Sequence, residues 1–301
     1  MAGNLALSLL SILLTLGILE GVMRLVYQPL LGGKEGTPWP QLDDWADYSP
    51  PPNRFGHREE DITGDLLSDE VIRILFLGDS FTFGSRVPRG GDRFSDLLEV
   101  RLNERAEVAG GGRRYHIYNA GVRSSNPRHW VKTFDMLLGA YRPDDVFAIF
   151  FLRSGTDLQT SLIFHQEILR EIEARYDGLL YRFSRVYRYF AERMILREFS
   201  EYYQGELSRA YLDEEASRSQ WQVEKEHLKT LHEKCRMEGI DFHLIIFPLL
   251  YSLEDYPFYA VEDEIIRFAR EEGIPVYSLT PGFVGKKART LWIAKNDPVS
   301  Y

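Results

Sequence analysis

A serine within the heptapeptide Gly78-Asp79-Ser80-Phe81-Thr82-Phe83-Gly84 is the residue best placed to do chemistry. This heptapeptide directly follows residues 71–77, an apolar and β-branched run that predicts a strand. Ligands of open α/β sheets bind just beyond the carboxyl ends of the strands, where Ser80 would present its hydroxyl. A serine there can attack an acyl carbonyl while backbone N–H groups stabilise the oxyanion. From this stretch alone, a serine that merely caps a helix remains the alternative.

Two other glycine-rich motifs do not fit this stretch. A phosphate-binding loop needs four residues between its glycines and a lysine after the second. Here five residues separate Gly78 from Gly84, and Ser85 stands where the lysine would be. The nucleophile elbow of α/β-hydrolases needs a glycine two residues after the serine, a position that Thr82 occupies. Both motifs are therefore excluded.

Two further blocks follow the next apolar runs of the chain. They are Asn119-Ala120-Gly121-Val122 and Ser154-Gly155-Thr156-Asp157. With the Gly-Asp-Ser block, they resemble the SGNH (GDSL-type) hydrolase superfamily, in particular bacterial members with an N-terminal membrane segment. The resemblance spans roughly residues 53–297. It implies that Ser80 is the nucleophile and that three groups hold the oxyanion, namely the backbone amides of Ser80 and Gly121 and the side chain of Thr156. It implies supporting roles for Gly78, Asp79, Asn119 and Asp157.

The third block departs from the family pattern. The family usually has Gly-x-Asn-Asp there, and Thr156 occupies the asparagine position. A threonine hydroxyl donates one hydrogen bond but has a shorter reach than an amide. Because losing one oxyanion donor typically costs ~3 kcal/mol of transition-state stabilisation, we expect a weaker site.

The expected catalytic base is missing from the matching position. Family members carry Asp and His two or three residues apart in a C-terminal loop, and Asp297 matches that aspartate. Val299 and Ser300 stand where the histidine should follow. We therefore expect the chain as given to be nearly inactive, since a serine without a base is a poor nucleophile. A C-terminally incomplete esterase, with its base beyond residue 301, is favoured over a degenerate relative. His129 is expected to have a surface or helix-capping role.

The elements around these blocks predict an α/β fold. Strands are expected at residues 71–77, 115–118, 146–152, 242–247 and 275–279, with helices between them. Such alternation indicates a doubly wound, flavodoxin-like parallel sheet of about five strands with helices on both faces. A helical insert is expected at about 159–238. The insert is predicted to consist of amphipathic helices that cover the sheet and pack on each other. Its apolar residues recur at three- and four-residue spacing, namely Leu180, Phe183, Tyr187, Phe190 and Met194 and, in part, Trp221, Leu228, Leu231 and Cys235. A lid formed by residues 176–211 is the alternative.

The N-terminus predicts a membrane segment. Residues 5–19 hold no charge, and residues 5–27 as one helix would be ~35 Å long, enough to cross a bilayer. An uncleaved anchor is favoured over a cleaved signal peptide and over a buried helix. The expected organisation is an anchor at 1–28, a linker at 29–70 and the hydrolase-like domain at 71–301. That domain is expected outside the cytoplasm, although Arg24 and Lys34 mildly favour the opposite orientation.

Composition narrows the function further. The 301 residues carry a formal net charge of −9 without a dense basic cluster, which argues against nucleic-acid binding. The lone Cys235 is expected in the core, and we expect neither a metal nor a cofactor. The favoured function is a serine ester hydrolase acting on acyl esters, acetyl esters above all. The alternatives are an O-acyltransferase of cell-envelope polysaccharide that uses the same serine, and a non-catalytic envelope protein.

Overall fold

The computed structural model describes residues 2–27, 29, 48–156, 162–217, 220–250 and 252–291, without the side chains of 2–6, 9, 162–166, 216, 217 and 289. The chain divides into two compact units. The helical unit comprises Met1–Pro40 and Ser161–Gly205, and the α/β unit comprises Gln41–Thr160 and Glu206–Tyr301. Residues 161–205 of the expected insert thus group with the N-terminal segment, and residues 206–238 group with the sheet.

The α/β unit is built on a five-stranded parallel sheet. Its strands are β1 (Val71–Gly78), β2 (Arg114–Gly121), β3 (Asp145–Phe151), β4 (Asp241–Phe247) and β5 (Val276–Ser278). Their order in the sheet is β2-β1-β3-β4-β5, with every neighbouring pair parallel. This order confirms the predicted doubly wound, flavodoxin-like α/β architecture.

Ten α-helices are described. They are α1 (Ala2–Val26), α2 (Ser80–Phe83), α3 (Phe94–Val108), α4 (Pro127–Tyr141), α5 (Leu162–Tyr176), α6 (Leu179–Phe183), α7 (Arg185–Leu212), α8 (Glu214–Ser217), α9 (Trp221–Met237) and α10 (Tyr259–Glu271). Helices pack on both faces of the sheet, because alternate strand residues point to opposite sides. On one face Ile74 and Phe76 pack with Leu102 of α3. On the other, Phe150 contacts the rings of Trp130 in α4 and Trp221 in α9.

Local sequence explains where several of these helices begin and end. The Asn126 side chain caps α4, Pro127 occupies its first turn, and His129 closes a capping box, which confirms the capping role expected for His129. Gly273 follows α10 with φ +68°, the left-handed conformation that glycine adopts without strain. Arg93 directly precedes α3. It is buried and bound to Asp96 within the helix.

The insert does not bury the stripe that its periodicity predicted. The five side chains of that stripe are all exposed, namely Leu180, Phe183, Tyr187, Phe190 and Met194. The buried side chains of α7 in the helical unit include Ala191, Ile195 and Phe199. The packing prediction was wrong for this stripe, because α7 carries a second apolar stripe and buries that one instead. The remaining apolar residues of the predicted pattern are fully buried, namely Trp221, Leu228, Leu231 and Cys235.

The N-terminal helix α1 is joined to the start of α7 by one carboxylate. Glu20 accepts hydrogen bonds from the backbone N–H groups of Arg185 and Val186 and from the hydroxyl of Ser184. These are orphan donors of a helix N-terminus, so Glu20 serves as the cap of α7. Within the described residues, no helix combines the length and the apolar character that crossing a membrane requires.

Candidate functional site

Ser80 opens a short helix directly beyond the central strand β1. Asp79 lies between the strand and this helix, and its carboxylate accepts a hydrogen bond from the backbone N–H of Phe81 at 2.8 Å. A Cβ at Gly78 would overlap the side chain of Thr82, so only glycine permits the tight turn. Because β1 lies between β2 and β3, the chain order reverses here, at the place where such sheets bind ligands.

The Asp79 carboxylate connects the Ser80 turn to the loop after β3. It is buried, and it accepts a second hydrogen bond from the Ser154 hydroxyl at 3.1 Å. Burial raises the pKa of this carboxyl, against the opposing effects of the Phe81 N–H and the nearby Arg153 guanidinium. With both oxygens bonded inside the protein, Asp79 acts as a support that fixes the turn carrying Ser80.

Asn119 makes the corresponding connection from β2. Its buried side-chain amide donates to the Thr82 carbonyl at 2.6 Å and to the Ser95 hydroxyl at 2.8 Å. Its oxygen accepts from the Gly121 N–H at 3.0 Å. A Cβ on Gly121 would overlap the backbone of the Ser80 helix, so β2 and α2 approach each other as closely as a glycine allows. Gly78, Asp79, Asn119 and Gly121 thus meet around Ser80.

Two of the three expected oxyanion donors are engaged within their own loops. The Gly121 N–H donates to Asn119, as described above. The Thr156 hydroxyl donates to the Arg153 carbonyl at 3.1 Å, and the Thr156 N–H bonds the same carbonyl. An oxyanion would therefore compete with these acceptors for both groups. The predicted role of Gly121 and Thr156 therefore requires each donor to leave or share its present acceptor when substrate binds.

The described residues supply no base for Ser80. Its hydroxyl has no hydrogen-bond partner among them, and Asp157 and Asp297 lie outside them. His57 and His116 bond the hydroxyls of two tyrosines, and burial lowers the pKa of each imidazole to about 4. The described side chains also include no cluster of three or more residues able to hold a metal ion.

Sequence reasoning missed two buried serines that support the site. Ser154 bonds Asp79, and Ser125 donates to the Gly78 carbonyl at 2.8 Å while accepting from the Trp130 indole at 3.0 Å. Each lies in a loop that leaves the carboxyl end of a strand next to β1. Position in those loops was the available signal, since serines there can reach backbone groups of the neighbouring strand.

An aromatic cluster begins one residue after Ser80. The Phe81 ring stacks on Phe151, with centroids 5.5 Å apart, and lies 4.1 Å from the Phe247 ring. Phe283 extends the cluster, 5.1 Å from Phe247. All but Phe151 are partly exposed. This surface offers an apolar contact for a molecule bound beside Ser80.

Several solved structures of esterases resemble this chain distantly. The acetyl xylan esterase AlAXEase has a TM-score of 0.39 and 12% identity over 73% of this chain and 83% of its own. AlinE4, an esterase of the SGNH-hydrolase family, has a TM-score of 0.34 and 14% identity over 69% of this chain and 76% of its own. The psychrotrophic esterase EstA from Pseudoalteromonas sp. has a TM-score of 0.34 and 12% identity over 69% of this chain and 77% of its own.

No family model matches the sequence, and no curated protein matches it either. Similarity to solved structures at these identities and TM-scores does not establish an activity. The functional assignment therefore rests on the residues around Ser80.

Proposed function

We propose that this protein is a serine ester hydrolase of the SGNH type with Ser80 as its nucleophile. The observation that carries the proposal is that the loop after β3 and the end of β2 are both hydrogen-bonded to the turn that holds Ser80. The Ser154–Asp79 hydrogen bond fixes the loop after β3, and the Asn119–Thr82 hydrogen bond fixes the end of β2. A serine held this way at the reversal point of a doubly wound sheet suits nucleophilic attack on a bound carbonyl.

The proposed reaction is acyl transfer to water in two steps. The Ser80 oxygen attacks the ester carbonyl and its proton goes to a base. The base then passes this proton to the leaving oxygen, so the alcohol departs and an acyl-serine remains. Water then attacks the acyl-serine and releases the acid. The Ser80 and Gly121 amides and the Thr156 hydroxyl are the proposed oxyanion donors. Asp297 is proposed to orient the base, as the aspartate of a triad does.

The aromatic cluster supports an acyl ester as the substrate class. The rings of Phe81, Phe247 and Phe283 form a partly exposed apolar surface that begins at the residue following Ser80. Burying an acyl methyl group on such a surface contributes about 0.8 kcal/mol. Acetyl esters are the smallest substrates that make this contact.

Ester turnover tests the proposal. We would measure hydrolysis of p-nitrophenyl acetate by the natural protein, by Ser80→Ala and by the matched control Ser85→Ala. Ser85 lies nearby, and its buried hydroxyl has no hydrogen-bond partner among the described residues, so its removal should change little. Loss of turnover in Ser80→Ala alone supports the assignment. Turnover that survives in Ser80→Ala would assign the activity to another residue. Faster ester cleavage on adding an acetyl-accepting sugar would instead favour the acyltransferase.

We further propose that α1 holds the protein at a membrane, with the α/β unit outside the cytoplasm. Leu7, Leu13 and Leu14 are each about two-thirds exposed, an arrangement that suits lipid better than water. The apolar run also continues into residues 5, 6 and 9, whose side chains are not described. An alkaline phosphatase fusion at residue 301 should be active in cells. A fusion that fluoresces in the cytoplasm and has no phosphatase activity would contradict this orientation.

A further inference from the structure

The described part of the helical unit exposes a stripe of large apolar side chains on α6 and α7. We call it the apolar stripe, defined by Leu180, Phe183, Tyr187, Phe190 and Met194. Phe183 is 69% exposed and Phe190 is 60% exposed. Exposed patches that combine several large apolar side chains mark surfaces that meet a partner or a membrane.

The apolar stripe continues directly into the surface of α1. Leu16 and Gly17 of α1 line one shallow groove together with Phe183, Tyr187 and Phe190. The Glu20 cap and a hydrogen bond from the Arg24 guanidinium to the Phe183 carbonyl fix α1 against the start of α7. The two apolar surfaces are therefore parts of one continuous surface.

The Glu20 cap also fixes the position along the α1 axis at which the apolar stripe lies. Glu20 lies six residues before the end of α1 at Val26, a rise of ~9 Å along the helix. The N-terminus of α7 is held at that level by its hydrogen bonds to Glu20. If α1 enters a bilayer, the start of α7 reaches the headgroup region with it.

The residues next to the stripe carry a small excess of positive charge. Residues 178–191 contain Arg182, Arg185 and Arg188 and no acidic residue, in a chain whose net charge is −9. Arg182 and Arg188 have acidic partners at the edges of this segment, Asp177 and Glu192. Arg24 and Arg182 are mostly exposed. Apolar and aromatic side chains beside arginines are the combination that binds anionic lipid headgroups.

We propose that the apolar stripe lies in the surface of a bilayer that contains anionic lipid, with Phe183 and Phe190 among the acyl chains. The inference rests on the membrane attachment proposed for α1 and adds a second, interfacial contact. A lipid surface is favoured over a second protein because the stripe is continuous with α1 and is bordered by arginines. The helical unit then sits on the membrane as well as being tethered to it.

A single-cysteine probe tests this contact. The only native cysteine, Cys235, is fully buried, and burial raises the pKa of its thiol to about 12, so it should not compete for the label. Phe183→Cys and the matched control Val108→Cys would each carry the fluorophore NBD. Val108 is apolar and 91% exposed on α3 of the α/β unit. The full chain would be reconstituted into vesicles of equal parts phosphatidylcholine and phosphatidylglycerol.

We expect the probe at position 183 to shift to shorter wavelength and to be quenched by lipids with a shallow spin label. The probe at position 108 should show neither change. In vesicles of phosphatidylcholine alone, the shift at position 183 should become smaller, because the arginines lose their anionic partners.

The contrary outcomes separate the two proposals. If the protein floats with the vesicles while the probe at position 183 remains as exposed to water as the probe at position 108, the stripe proposal is wrong and attachment by α1 stands. A blue shift at position 183 without lipid quenching, or one already present without vesicles, would show that protein covers the stripe and would overturn the proposal. If the protein does not float, both membrane proposals fall, whatever the esterase assays show.

Discussion

The surroundings of Ser80 and the helical unit place polar and apolar side chains in opposite ways. Around Ser80, the polar side chains of Asp79, Asn119 and Ser154 are buried, and each is hydrogen-bonded. In the helical unit, large apolar side chains such as Phe183 and Phe190 face outward. Buried, hydrogen-bonded polar groups fix one geometry, whereas exposed apolar groups can be buried by a second surface that binds them. The first region therefore holds Ser80 in one position, whereas the second offers a surface that another surface can bind.

The two stripes of α7 give the largest expected difference. Ile195 is fully buried, so Ile195→Ala should cost about 3 kcal/mol of stability by leaving a cavity. Phe190→Ala removes a larger but exposed side chain and should change the free energy of unfolding by less than about 0.5 kcal/mol in detergent solution. Urea denaturation of both variants measures this. Equal losses of stability in the two variants would mean that the stripe through Phe190 is also packed against protein. This would contradict the difference between the two stripes.

Gly121 tests how closely the Ser80 surroundings are packed. A Cβ there would meet the backbone of Thr82 and Phe83, which cannot move without displacing α2. We expect Gly121→Ala to destabilise the protein by about 2 kcal/mol. Gly139→Ala is the control, since its Cβ would meet nothing within 4 Å and alanine favours the helix. A Gly121→Ala variant as stable as this control would contradict the close approach of β2 and α2.

Replacing Asp79 and replacing Asp177 should change the pH dependence of the protein's stability in opposite directions. Burial raises the folded-state pKa of Asp79, so the natural protein loses stability as pH rises from ~4 towards that pKa. The stability of Asp79→Asn relative to the natural protein should therefore increase with pH in this window. The hydrogen bond from Arg182 lowers the pKa of exposed Asp177 in the helical unit. The relative stability of Asp177→Asn should decrease as pH rises through its window. Melting temperatures at several pH values check both signs, and equal signs would refute the contrast.

The Glu20 cap should appear in amide exchange rather than in global stability. Glu20→Ala removes the acceptor for the N–H groups of Arg185 and Val186. Hydrogen exchange at those two amides should accelerate, while exchange in β1 stays unchanged. Glu201→Ala, which breaks an exposed ion pair with Arg197 on the same helix, is the matched control. Unchanged exchange at residues 185 and 186 would show that α7 does not depend on this cap.

The Ser80 surroundings were largely predictable because their signals lie in short blocks of sequence. Continuous apolar runs predicted five strands, and the resemblance of the blocks after them to the SGNH hydrolase superfamily implied that Gly78, Asp79, Asn119 and Gly121 lie near Ser80. The hydrogen bond from Ser154 to Asp79 joins residues 75 positions apart, and nothing in either loop specifies the partner. Thr156 could be identified as a potential donor, but the direction of its hydroxyl depends on the turn that carries it.

The helical unit was less predictable for a physical reason. Periodicity shows that a helix has an apolar stripe, but it cannot tell which of two stripes faces the protein. In α7 the stripe through Ile195 is buried and the stripe through Phe190 is exposed. The choice depends on partners distant in sequence.

Covalent labelling of Ser80 is the most direct test of the central claim. The protein as the cell makes it would be treated with a fluorophosphonate, and the modified residue identified by peptide mass spectrometry. We predict a single adduct on Ser80, none on Ser85 and none anywhere in Ser80→Ala. Ester hydrolysis should fall in proportion to the labelled fraction. An active protein that carries its adduct on another residue, or that stays active with Ser80 fully labelled, would contradict the assignment of Ser80 as the nucleophile.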